Sequence, residues 1–131
     1  IAVQSARLAA IRQAATQAGV PLFINARTDL FLRESDRSRH PALVPAALDR
    51  AQAYAAAGAS GFFVPGLVDP DSIGRLCRET DLPVNVMVLD GAPSADALAG
   101  LGVARISHGP GPYRVAMRQF RERAEAALAA P

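Results

Sequence analysis

Short apolar runs recurring between helix-patterned segments constrain this chain more than any other feature. Leu22-Phe23-Ile24, Gly61-Phe62-Phe63-Val64, Val84 to Val88 and Val103 to Ile106 are each too short for a helix and too apolar for a sheet that is wet on one face. Strands of this kind are buried on both faces, which in a chain of this length calls for helices packed over a parallel sheet.

The intervening segments supply those helices. Leu8, Ile11, Ala15 and Ala18 follow helical spacing over roughly Gln4 to Ala18, and Gly19 then offers a left-handed stop. An Ala-rich helix is predicted from Ala46 to Ala57, with Ala47, Leu48, Ala51, Tyr54 and Ala55 on one side and Gly58 closing it. Asp69-Pro70 provides an N-cap and a first-turn proline for a helix carrying Ile73, Leu76 and Cys77 on one face. A short helix is predicted from near Ser94 to Gly102, and a last one after the Gly-Pro turn at 109–112, with Tyr113, Met117, Phe120, Ala124 and Leu128 as its apolar side. Arg33 to Pro45 has charges, two prolines and no apolar period, and is expected to be a long loop that covers a site.

The resulting order, α-βα-βα-βα-βα, fits either an open doubly wound sheet or part of a barrel, and periodicity does not choose between them. Three points favour the partial barrel: the chain opens on a helix without a preceding strand, polar groups gather at strand C-termini, and no Gly-rich dinucleotide fingerprint follows a strand. The first residue is Ile1, so the start is expected to be truncated or processed. A four-strand remnant leaves two unpaired edges that want a missing half or another copy.

Composition removes several classes of function. All 14 basic residues are Arg, so no lysine is present to form a Schiff base with a carbonyl substrate. The arginines are scattered, with no basic block or basic-aromatic alternation, and nucleic acid is not an expected partner. Cys77 is the single cysteine, which precludes an intrachain disulfide, and no apolar run approaches the roughly 20 residues needed to span a bilayer. A cytoplasmic location without membrane contact is the expectation.

Arg27 sits just past the first apolar run, where a barrel places its substrate, and its guanidinium could grip a carboxylate or phosphonate through paired hydrogen bonds. An ion pair with Asp29 is the competing reading. Asn25 shares its parity and could line the same pocket. His108 precedes Gly109, Gly111 and a helix start, so it is either an acid-base group beside backbone N–H donors or a solvated turn residue. Cys77 reads as a small buried hydrophobe, His40 as solvated, and Asp90 as either a mouth residue or a turn residue beside Gly91. No metal-type cluster, P-loop or nucleophile elbow occurs.

Taken together, Phe23-Ile24-Asn25-Ala26-Arg27-Thr28-Asp29, Ala57 to Gly66, Pro83-Val84-Asn85-Val86-Met87 and Gly102 to Ser107 running on to Tyr113-Arg114 resemble the isocitrate lyase and phosphoenolpyruvate mutase superfamily. Order and spacing match over nearly the whole chain. The resemblance implies a (β/α)8 barrel of TIM type, of which residues 1–131 would be the C-terminal half: the last four βα units, with parallel strands inside outer helices and the N-terminal half absent. It implies that Arg27 binds an oxygen-rich end of the substrate. It also implies Mg2+ held by acidic residues on earlier strands and a catalytic Cys in a Lys-Lys-Cys-Gly-His-like loop; neither element is in this sequence, and Cys77 does not match that Cys.

Two positions depart from the tricarboxylate lyases of the family: Gly66 stands where those enzymes place a Glu, and Met87 where they place an Asn. The His that some decarboxylating members carry in the last turn falls on Pro110 and not on His108. The implied activity is Mg2+-dependent C–C bond lysis or P–C bond mutation on a small oxo-acid, hydroxy-acid or phosphonate through an enolate-like species. The alternative is a catalytically incompetent half-barrel acting as a binding or assembly module. The expected partners are a small carboxylate or phosphonate and, for the full-length protein, further copies of itself.

Overall fold

The computed structural model describes residues 1–129. Eleven elements follow in order: α1 (Ala2–Gln17), β1 (Asn25–Arg27), α2 (Leu30–Arg33), a 3-10 turn (Arg37–Arg39), α3 (His40–Ala56), β2 (Gly61–Phe63), α4 (Pro70–Glu79), β3 (Val84–Met87), α5 (Ala95–Gly100), β4 (Arg105–Ser107) and α6 (Gly111–Ala129). The strands form one parallel sheet in the order β1-β2-β3-β4, so each pairs with the next strand along the chain. Four parallel strands flanked by helices constitute a partial (β/α)8-type barrel.

Alternation along the strands separates two faces. Ala26, Phe62, Val64, Val84 and Val86 are buried against the helices together with Leu8, Val44, Tyr54, Ile73, Leu76 and Leu98. The opposite face carries Asn25 and Arg27, Gly61 and Phe63, Asn85 and Met87, Arg105 and Ser107. Only Gly61 and Asn85 of these eight are fully buried. The polar set thus lies on the face that would be the interior of a closed barrel.

The helix ends follow local chemistry. Asp69 accepts a hydrogen bond from Ser72 N at 2.9 Å and Ser94 one from Ala97 N at 3.2 Å, the N-caps expected for α4 and α5. At the opposite end of the sheet, Arg12 of α1 donates to the carbonyls of Gly58 and Leu22 and to Ser60 Oγ, at 3.0, 2.9 and 2.7 Å, tying the approaches to β1 and β2 together.

The structure corrects the sequence reading in four places. The first strand lies on the polar stretch Asn25–Arg27 and not on Leu22 to Ile24, because Leu22 and Phe23 lie before the paired strand and remain exposed. The fourth strand is likewise displaced toward its polar end, Arg105–Ser107. The segment 33–45 is largely ordered as helix and turn. Pro41 occupies the first turn of α3, where its missing N–H has no helical partner, and Pro45 is tolerated inside the helix because Val44, Ala47, Ala51 and Tyr54 are buried along it. His40, expected in solvent, is 2% exposed: its Nε2 lies 3.0 Å from the Glu34 carbonyl and its ring meets Phe31 edge-on at 5.3 Å.

The last helix forms as expected, yet none of its described residues is buried, and Tyr113 and Phe120 are 67% and 70% exposed. Among the described residues its apolar side remains largely exposed.

Candidate functional site

The register places Arg27, Phe63, Asn85 and Arg105 in one row across all four strands of the helix-free face. Met87 and Ser107 form the next row toward the strand C-termini. Arg27 Nε donates to Asp29 Oδ1 at 2.6 Å, and its guanidinium carbon lies 5.9 Å from the centre of the Phe63 ring. The pair is roughly half exposed on both sides, 52% and 45%, so solvent screens it and a competing anion could displace the aspartate at modest cost. Asn85 is buried and its Oδ1 accepts from Ser107 Oγ at 3.1 Å. Arg105 reaches away from the mouth, with its guanidinium carbon 5.5 Å from the Phe23 ring centre.

The loops above this face are tied together. Thr28 N donates to the Phe63 carbonyl, Arg33 N to the Asp29 carbonyl, and Arg37 reaches from the 3-10 turn to the Asp90 carbonyl after β3 at 2.7 Å. Asp36 caps the 3-10 turn by accepting from Ser38 N and Oγ, at 3.0 and 2.7 Å, and these bonds hold its carboxyl below the usual aspartate range.

The three residues singled out from sequence fall in three different recesses. Arg27 lines one with Asp29 and Thr28, Asn25 a second with Asn85 and Arg105, and His108 a third with Asp90 and the start of α6. Arg27 and Asn25 do share a face and a strand. His108 follows β4, three strand spacings from β1, or about 14 Å. Sequence reasoning missed Asn85 and Ser107 as facing groups; the one available signal was a polar residue at alternate position inside Val84-Asn85-Val86-Met87.

Gly66 explains one departure noted above. It has φ +96°, and a Cβ there would come within 2.8 Å of the backbone of Phe31 and Leu32 in α2. No side chain, acidic or otherwise, fits at that point while α2 keeps its place.

Cys77 is half-buried on α4, and burial pushes its thiol above the usual value, partly offset by Arg78. Alkylation by iodoacetamide should therefore rise with pH later than for a free thiol and be slow at pH 8. A rate inflection at or below the ordinary cysteine range would contradict this.

A sequence-family model described as phosphoenolpyruvate phosphomutase matches residues 1–128. The chain belongs to the phosphoenolpyruvate phosphomutase family. This places it in the isocitrate lyase/phosphoenolpyruvate mutase superfamily of lyases and mutases. Among solved structures, a phosphonomutase candidate of Burkholderia cenocepacia is 50% identical with TM-score 0.88, covering 94% of this chain and 49% of that one. A lyase/mutase candidate of the same organism is 32% identical with TM-score 0.83, covering 96% and 44%. The fold alone is shared with 2,3-dimethylmalate lyase, at 21% identity and TM-score 0.70 over 94% of this chain. An uncharacterized Mycobacterium tuberculosis protein, Rv1998c, is 38% identical over 112 residues, 86% of this chain and 40% of that protein. The chain thus spans less than half the length of each of these proteins.

Metal ligation in the family calls for clustered hard oxygen donors. Among the described residues no group of three or more His, Cys, Asp or Glu could hold a metal ion, and the mouth carboxylate Asp29 is engaged by Arg27. Among the described residues the donor set does not fit Mg2+. No described helix is long and apolar enough to cross a membrane.

Proposed function

We propose that this chain supplies the substrate-gripping, C-terminal half of a lyase- or phosphonomutase-type barrel, a binding and assembly module that is not a competent catalyst by itself. The observation that carries this reading is the polar row on the helix-free face, with Arg27 at the strand C-terminus and no carboxylate cluster beside it. Mg2+ and the acid-base groups would come from residues outside this chain.

The proposed substrate is a small oxo-acid, hydroxy-acid or phosphonate cleaved at a C–C or P–C bond through an enolate-like species. Arg27 would exchange Asp29 for a carboxylate or phosphonate end of the substrate, with Phe63 flanking the guanidinium. Asn25 would contact the same molecule from one row below. Asn85, whose Oδ1 is taken by Ser107, keeps its NH2 group for an acceptor on this face. His108 would border the far side of the mouth.

Oxalate, a planar mimic of an enolate-like species, tests this in the intact protein. Its binding should depend on Mg2+ there and show no Mg2+ dependence in residues 1–131 alone. Arg27→Gln should weaken it roughly 10- to 100-fold, about 1.5–3 kcal/mol for a charged hydrogen-bonded contact. Undiminished affinity in Arg27→Gln would remove Arg27 from the site.

A further inference from the structure

Residues 34–39, between α2 and α3, form a small body of their own. Asp36 N donates to Glu34 Oε1 at 2.9 Å, Ser38 N and Oγ donate to Asp36 Oδ1 at 3.0 and 2.7 Å, and Arg39 N donates to the Asp36 carbonyl at 3.1 Å. Arg39 also pairs with Glu34 at 3.5 Å. The segment is closed at its base, where His40 Nε2 lies 3.0 Å from the Glu34 carbonyl and the buried rings of Phe31 and His40 meet edge-on. Above that base nothing apolar holds it down: residues 34–39 include no hydrophobic side chain, and every residue from Ser35 to Arg39 is exposed.

This body crosses the C-terminal ends of the strands. α2, which leads into it, lies directly over the end of β2, since a Cβ on Gly66 would meet the backbone of Phe31 and Leu32. Arg37 then reaches on to the loop after β3, where its Nη1 donates to the Asp90 carbonyl at 2.7 Å. From the β1 loop to the β3 loop is two strand spacings, about 10 Å. Room for the guanidinium exists because residue 91 is a glycine: a Cβ there would come within 3.2 Å of Arg37 Nη1. Among the described residues, this is the one hydrogen bond between residues 34–39 and another βα unit.

We propose that residues 34–39 are a lid over the mouth of the inner face and that Arg37 is its latch. A segment stiffened by its own hydrogen bonds, pinned at one end and tied at the other by a single bond, swings as a unit when that bond breaks. The Arg37 bond is exposed, so water competes for both its donor and its acceptor and the latch opens far more often than the fold does. The strand ends it bridges belong to β1, β2 and β3, which carry Arg27, Phe63 and Asn85 on the inner face. A lid there governs how a ligand enters and leaves, and to that extent the inference rests on the binding role proposed for that face. Arg37 acts through the lid and not on the ligand, which makes it a positioning residue.

The test has two arms, both in the intact protein. Without ligand, cleavage after Glu34 by a glutamate-specific protease reports lid opening, because the protease needs the segment to leave its folded form. Arg37→Gln should speed this cleavage several-fold with an unchanged urea midpoint. Arg37→Lys, which keeps a donor for the carbonyl, should restore the slow rate, and Asp90→Asn, which keeps the carbonyl itself, should not alter it. With Mg2+ and oxalate, Arg37→Gln should raise the entry and release rates together and leave Kd within about twofold, whereas loss of a ligand contact would raise release alone. Equal cleavage of wild type and Arg37→Gln would overturn the latch, as would faster release at unchanged entry or a urea midpoint that falls in step with cleavage. If oxalate does not bind, the binding role of the inner face fails while the cleavage arm still decides the latch.

Discussion

Gly66→Ala is expected to destabilise the protein by about 2–5 kcal/mol, adding left-handed backbone strain to a steric clash. The added methyl would meet the backbone of Phe31 and Leu32 at 2.8 Å, and backbone cannot rotate aside as a side chain can. Gly19→Ala is the control that separates the two contributions. Gly19 also has positive φ, +68°, yet nothing lies within 4 Å of its missing Cβ. Its substitution should cost only about 1 kcal/mol. Urea unfolding of both variants measures the difference. Because α2 begins directly after Asp29, the partner of Arg27, the Gly66 variant should also weaken oxalate binding, and the Gly19 variant should not. Equal stability losses in the two would mean that contact with α2 contributes nothing.

Phe62→Ala should cost about 3–5 kcal/mol, the usual range for emptying a fully buried aromatic site. Phe62 is 0% exposed and sits edge-to-face with Tyr54, at 6.3 Å between centroids. Its chain neighbour Phe63 is half-buried on the opposite face beside Arg27. Phe63→Ala should therefore cost less than about 2 kcal/mol in stability, and its larger effect should be on ligand affinity. Adjacent residues of the same type would then show opposite phenotypes, one in unfolding and one in binding. Similar unfolding midpoints for the two variants would contradict the assignment of faces.

The pattern of short apolar runs was enough to read the parallel sheet and its helices, because burial on the helix-covered face is written in Phe62, Val64, Val84 and Val86. Strand limits were harder to read. A strand in half of a barrel has a polar inner face, so Asn25–Arg27 and Arg105–Ser107 look like strand ends when judged by hydropathy. His40 was misread for a related reason: charged neighbours dominate its local sequence, while its burial depends on Phe31 and on the carbonyl of Glu34 after a turn that only tertiary structure reveals. The position of Arg27 on the inner face was legible because a single strand presents it. Asn85 and Ser107 were not, since their bond joins strands separated by a whole βα unit.

The sheet order follows the chain order, and no strand is skipped. Each strand therefore completes its pairing with the strand made just before it, and the closing loop is always a single βα unit. During synthesis such a sheet can grow by accretion, each unit docking on a finished template while the next is still being made. A break placed between two units severs no strand from its own helix. Two pieces produced separately retain the information needed to rejoin along a strand edge, which makes this architecture a natural substrate for fragment complementation.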